Sequence, residues 1–353
     1  MSKPLSPPLS SLINASDTAG LASAPRRRLL AAGAGLAAAT LLPAPAIAQS
    51  LVKLSFQLSW IRSAQYAGYL SALENGFYRE VGLEPEFVSG GPQVDAVANV
   101  AAGRSQLGDR PSSALAVGRD KGIKLRVIGT VFQKSPFSIM SLESKPIKTV
   151  KELAGKTMAI SVSSAPLVRL VLKDAGVDPD TVNIIPAGAD PGALATGQVD
   201  AYTGYLTNQG VMLMTRGVKL HNINLSDIGL PNAAGTLYGL DDYLVKNRAT
   251  VVKFLRASVK GWRWALDNPE KATAIMLKIG APGLDERAVL TEIRSSREYI
   301  YAGLGTKQGL LALDLDYFGK ELELLRRAEL VKTPFTVNDW LDPSYIGEAL
   351  KAQ

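Results

Sequence analysis

From Leu51 onward, short runs of β-branched or alternating apolar residues trade places with stretches whose apolar positions recur at helical spacing. That is the pattern of α/β units with largely parallel sheets. The runs predict strands near 52–59, 84–89, 105–109, 125–132, 137–143, 156–162, 182–186, 199–204 and 236–243, with helices between them. A helix near 65–75 ends at the Asn75-Gly76 C-cap signal, and Val94, Val97, Ala98 and Ala101 mark another over 93–102 that stops at Gly103. Residues 144–155 read as a turn and a short capped helix, the expected crossing into a second lobe. After about residue 245 the strand pattern ends and long helical patterns run to the C-terminus, broken at Asn268-Pro269, 280–283 and 303–305. No internal repeat is present.

The first 48 residues follow a different pattern. A polar lead ends in Pro25-Arg26-Arg27-Arg28-Leu29-Leu30, and an Ala/Gly/Leu-rich stretch follows as far as Leu42. This reads as a signal peptide of twin-arginine type. The stretch is shorter than the ~20 residues of a spanning helix and is broken by Pro43 and Pro45. Ala46-Ile47-Ala48 offers small residues for cleavage after Ala48, which predicts a soluble periplasmic protein starting at Gln49. The chain has no Cys, so no lipid tether is expected. The remaining length is too great for one compact unit at ~150 residues per domain. The expected division is 49–143 for the first part of lobe one, 144–234 for lobe two, and 235–353 for the return to lobe one with C-terminal helices.

Net charge is +7, and residues 1–48 carry Lys3, Arg26, Arg27 and Arg28 against Asp17. The rest therefore holds 7 − 3 = +4, spread singly along the chain. No clustered basic stripe with interleaved aromatics is present, so no nucleic-acid partner is expected.

Three segments are more specific: Phe56-Gln57-Leu58-Ser59-Trp60, Gln65-Tyr66-Ala67-Gly68-Tyr69, and Glu74 to Glu84 with its Gly76-Phe77-Tyr78-Arg79-Glu80-Val81-Gly82-Leu83 core. They resemble the opening of the substrate-binding proteins for nitrate, sulfonates, taurine and thiamine pyrimidine precursors. Similar segments recur over Val97–Asp109, at Val150 to Thr157 and at Gly197-Gln198-Val199-Asp200-Ala201, covering most of 52–210. The resemblance implies an α/β, two-lobed periplasmic-binding-protein clamshell of type II, each lobe a mostly parallel sheet flanked by helices, with a helical C-terminal region. It implies a monomer that holds a small-molecule ligand between its lobes and delivers it to an ABC importer permease and its ATPase. Neither a cofactor nor a metal is expected.

In open α/β sheets ligands gather at the carboxyl ends of strands, where helix N-termini point free N–H groups inward. The first expected strand ends at Trp60, with Gln65 and Tyr66 opening the next helix. Gly90-Gly91-Pro92 closes the second, and Gly91 offers close backbone approach. Asp109 and Arg110 close the third, with Ser112 able to cap the following helix. Ser163 and Ser164 close the first strand of lobe two ahead of Pro166, and Tyr202, Tyr205 and Asn208 flank a later one. With Phe132, the ligand-binding candidates are Trp60, Gln65, Tyr66, Gly91, Asp109, Arg110, Ser112, Phe132, Ser163, Ser164, Tyr205 and Asn208. Each has a structural alternative: the aromatics as core, Asp109 and Arg110 as a surface pair, the serines as caps.

Catalytic readings find little support. Gly155-Lys156-Thr157 echoes a phosphate loop, but Val150 stands where the motif needs Gly, and the segment runs from helix into strand. His221 is the sole histidine, which rules out acid–base or metal chemistry built on two. Related thiamine pyrimidine synthases carry a Cys-rich motif that this chain lacks, so a synthase-like enzyme is the alternative reading. The aromatic candidates favour a pyrimidine or other heteroaromatic precursor over nitrate, a sulfonate or taurine.

Overall fold

The computed structural model describes residues 50–351, apart from the side chain of Ser163. The signal peptide and the cleavage after Ala48 therefore lie outside the described residues. The strands, in chain order, are β1 (Val52–Gln57), β2 (Leu83–Val88), β3 (Leu107–Arg110), β4 (Leu125–Phe132), β5 (Phe137–Leu142), β6 (Thr157–Ile160), β7 (Asn183–Pro186), β8 (Ala201–Tyr205), β9 (Leu220–Asn224) and β10 (Ala234–Leu240). Among the described residues they form two five-stranded sheets, ordered β2-β1-β3-β10-β4 and β7-β6-β8-β5-β9. In the first sheet β10 is antiparallel to both its neighbours, and in the second β5 is.

The two reversed strands have one geometric cause. β4 runs toward the space between the sheets, the chain crosses at 133–136, and β5 runs away from it. β9 and β10 repeat this in the opposite sense across 225–233. The other four strands of each sheet consequently deliver their carboxyl ends to the same interlobe cleft, the place where an open α/β sheet presents a ligand site.

Two expectations are corrected here. The crossing is at 133–136 rather than 144–155, so Phe137–Leu142, expected in the first lobe, pairs with β8 and β9 in the second sheet. After Phe132 the Gln133 and Lys134 N–H groups turn to the Tyr299 carbonyl, and the Pro136 carbonyl accepts from the Leu206 N–H in the second lobe. The segment expected as the crossing holds a short 3-10 helix, Val150–Leu153, whose Val150 and Leu153 are in the second lobe's core. β9 had no expected counterpart. It is an edge strand whose His221, Asn222 and Asn224 break the apolar run that marks the others.

The helix Ala67–Glu74 is held to the first lobe by the C-terminal helix Arg248–Asp267, and their contact rests on two glycines. A Cβ on Gly68 would stand 2.1 Å from the Trp262 ring, and one on Gly261 would stand 2.3 Å from the Gly68 carbonyl oxygen. Bare backbones therefore approach where larger residues would hold the helices apart. Phe56, Tyr69, Phe87 and Phe254 fill the space beneath, with Phe56 stacked on Phe254 at 5.3 Å. This packing fixes the turn that precedes Ala67, where the cleft begins.

Candidate functional site

The segment after β1 is set by a chain of hydrogen bonds. The Trp60 N–H donates to the Tyr66 hydroxyl at 3.0 Å, and Tyr66 and Ser59 Oγ are 3.0 Å apart. Ser59 Oγ and its backbone N–H both donate to the Asp109 carboxylate at 2.9 Å. Ser59 Oγ spends its one proton on Asp109, so Tyr66 is the donor to Ser59. Burial pushes the Asp109 carboxyl up to about 6, against the Ser59 bonds that pull it down. Burial, followed by the charge of Asp109, raises Tyr66 well above its usual value. The function of this network is positional, because it holds Trp60 at the cleft.

A cavity of about 70 Å3 lies between the lobes, bounded by Ser59, Trp60, Gln65, Arg110 and Pro111 from the first and by Phe137, Ser161, Ser164, Ala187, Gly188, Tyr202 to Tyr205 and Gln209 from the second. The structure thus brings Trp60, Gln65, Arg110, Ser164 and Tyr205 to one wall. Tyr205 is fixed by edge-on contacts with Phe132, centroids 5.9 Å apart, and with Phe137 at 6.4 Å. Its backbone N–H donates to Gln209 Oε1 at 2.9 Å, and the Tyr202 hydroxyl donates to the Gly188 carbonyl at 2.7 Å. Ser161 Oγ donates to Ser164 Oγ at 2.9 Å. Among the described residues Arg110 is the one charged side chain in this wall. Its Nη1 is 3.5 Å from the Val94 carbonyl, and its buried Nε meets no acceptor. The wall therefore offers aromatic faces, hydroxyls and one cation with donor capacity to spare.

Other candidates stand behind the wall. Tyr66 and Asp109 are each 2 % exposed and act through Trp60 and Ser59. Gly91 is buried beside Ile61, while the close approach belongs to Gly90, whose Cβ would fall 2.2 Å from the Leu58 carbonyl oxygen. Ser112 opens the helix Ser112–Asp120 without capping it and turns its hydroxyl inward, 2.6 Å from both oxygens of Glu321. Phe132 is buried as the support of Tyr205. Asn208 donates to Glu292 Oε2 at 2.7 Å. The side chain of Ser163 lies outside the described residues. Conversely, Ala187 and Gly188 were missed although they follow β7, where the strand-end rule points. Gln209 was missed because it sits on a π-helical turn, Leu206–Gly210, that no periodicity announces.

Comparison with known proteins agrees with this geometry. The profile of the family described as NMT1/THI5 like matches residues 63–272, more than half of the chain. The chain belongs to the NMT1/THI5-like family. It is 24% identical over 235 residues to the formylaminopyrimidine-binding protein of Halalkalibacterium halodurans, covering 65% of this chain and 71% of that one. It is 25% identical over 313 residues to the riboflavin-binding protein RibY of Chloroflexus aurantiacus, covering 85% and 88%. The crystal structure of the periplasmic aliphatic sulphonate binding protein SsuA from Escherichia coli superposes with a TM-score of 0.64 at 17% identity, over 85% of this chain and 99% of that one. The two-lobed, two-sheet architecture is thus that of the periplasmic binding proteins. Among the described residues no helix is long and apolar enough to cross a membrane.

Proposed function

We propose that this NMT1/THI5-like chain is the solute-binding component of an ABC importer and captures a flat ring bearing a carboxylate or carbonyl acceptor. The carrying observation is that Arg110 is, among the described residues, the one charged side chain in a wall that also carries four aromatic rings, Trp60, Phe137, Tyr202 and Tyr205. Ring faces contribute stacking area, and a single cation orients one acceptor. Nitrate or a sulfonate would find hydroxyl and amide donors beside the guanidinium but would leave the four ring faces uncovered. The formylaminopyrimidine- and riboflavin-binding relatives are named for heteroaromatic ligands, which supports the ring reading. In this reading the protein works as a periplasmic monomer after twin-arginine export and passes its ligand to a permease and its ATPase.

A synthase-like reading has less to rest on. His221 lies on the edge strand β9, opposite Ser141 and away from the cavity wall, and the chain contains no Cys. The test is a thermal-shift screen of residues 49–353 against pyrimidines, flavins, aromatic acids, sulfonates and nitrate. A ligand at about a hundredfold its Kd stabilises the native state by about 2.7 kcal/mol. Ring compounds should raise the melting temperature; a rise with sulfonates or nitrate alone defeats the ring reading.

A further inference from the structure

The cavity holding the proposed ring is small. At about 70 Å3 it falls well short of the roughly 300–1,000 Å3 of ordinary small-molecule sites. On the far side of Arg110 lies a second cavity of about 450 Å3, and Arg110 belongs to the walls of both. Most of its lining is apolar, with Val94, Val97, Ala114 and Val117 from the first lobe and Val162 and Leu167 from the second, while Gln93, Asp95, Ser113 and Lys121 are the polar residues of its wall besides Arg110. Val162 is 62% exposed, a branched apolar side chain left open to water at the mouth of the second-lobe helix.

We infer that the ligand is a two-part molecule, with its flat, acceptor-bearing head in the small cavity and an apolar chain running past Arg110 into the larger one. The inference rests on the ring reading above and adds the chemistry of the rest of the ligand. Both cavities are bounded by the same two lobes and share Arg110 in their walls, so the extension of a ligand from the first into the second would pass this side chain. Along the stretch formed by Val94, Val97, Val117 and Val162, an alkyl chain removes those side chains from water. Arg110, at the junction, binds the acceptor next to the point where the chain leaves the ring.

The test uses ortho-alkoxybenzoates, in which the chain leaves the ring beside the carboxylate. Isothermal titration of the protein with the methoxy, butoxy and hexyloxy compounds should show affinity rising about two- to fourfold per added methylene. In Val162→Asp, where a charge faces the groove from an exposed position, that dependence on chain length should flatten; Ala114→Trp, which fills the groove from the other lobe, should flatten it as well. A wild-type series whose members bind alike, or in which none binds, overturns the two-part ligand, as does a slope that survives both variants. Trp60→Ala separates the two readings: if it weakens no member while the slope persists, the ring reading fails and the groove stands.

Discussion

The side-chain amide of Asn208 in the second lobe donates to Glu292 Oε2 of the C-terminal helix Glu286–Ile300 at 2.7 Å. The nearby backbone N–H of Gln65, at the start of the first-lobe helix, helps to lower the pKa of the same carboxyl. One buried acid thus ties the second lobe to the C-terminal region. A second acid, Glu321, lies at the return crossing, next to Ser112 and 3.4 Å from the Ala233 N–H. Ser112 Oγ donates to the Glu321 carboxyl at 2.6 Å, while the Ala233 carbonyl accepts from the Ser112 backbone N–H at 2.9 Å.

Burial raises both carboxyls to about 8, their hydrogen bonds opposing it, and raises Asp109 to about 6. The folded state then holds protons that the unfolded chain has released. Stability from these groups is fully present below about pH 4.5 and is lost as pH rises through about 8, at about 1.4 kcal/mol per unit of raised pKa. The melting temperature should be lower at pH 8 than at pH 5.5, and Glu321→Gln should lessen the fall. Equal melting temperatures at the two pH values would mean that the acids are ionised when folded.

Tyr66→Phe keeps the ring and removes only the hydroxyl that joins Trp60 to Ser59. It leaves the Trp60 N–H without its acceptor, at a cost of about 1–3 kcal/mol if that group stays buried. Affinity for a ring probe should fall because Trp60 is no longer held, although Tyr66 itself is buried away from the cavity. Calorimetry that finds unaltered affinity would disconnect the network from the site.

Arg110→Met retains the apolar stem and removes the cation. Binding of an anionic ring such as ortho-methoxybenzoate should weaken about ten- to hundredfold, the range for a hydrogen bond to a charged group, about 1.5–3 kcal/mol. Unchanged affinity would remove Arg110 as the orienting group.

Arg26→Lys with Arg27→Lys should hold the protein in the cytoplasm, and the wild-type periplasmic form should begin at Gln49. Fractionation and N-terminal sequencing read both. Wild-type export of the double variant would point to another pathway.

The strands and helices from β1 to β8 are legible in the chain because their apolar runs and cap signals are local. β9 escaped because its polar edge residues carry no such run. The strand-end rule picked out Trp60, Gln65, Arg110, Ser164 and Tyr205, which line the interlobe cavity, yet it gave no depth. Successive residues of a strand point to opposite faces, so Asp109 is buried beneath the cleft while Arg110 faces it. Ser112 and Asn208 were chosen for their proximity to strand ends, but their partners, Glu321 and Glu292, are 209 and 84 residues away. Such pairings arise only from tertiary packing.

Trp60 decides whether the cavity recognises a ring. It is partly buried, packs against the first-lobe core, and reaches the cavity beside Arg110 and opposite Tyr202 and Tyr205. A ring stacked on it would lose about 1–3 kcal/mol of binding in Trp60→Ala, a roughly tenfold to hundredfold drop, by analogy with base–aromatic stacking. A purely structural tryptophan would instead cost about 3–5 kcal/mol of stability on truncation. Because Trp60 is only partly buried and its place is fixed through its backbone N–H, which alanine retains, the stability loss should fall below that range while affinity falls by tenfold or more. Melting temperature and calorimetric affinity measured on the same variant separate the two. A large drop in melting temperature with full affinity in the folded fraction would assign Trp60 to the core and overturn the ring reading.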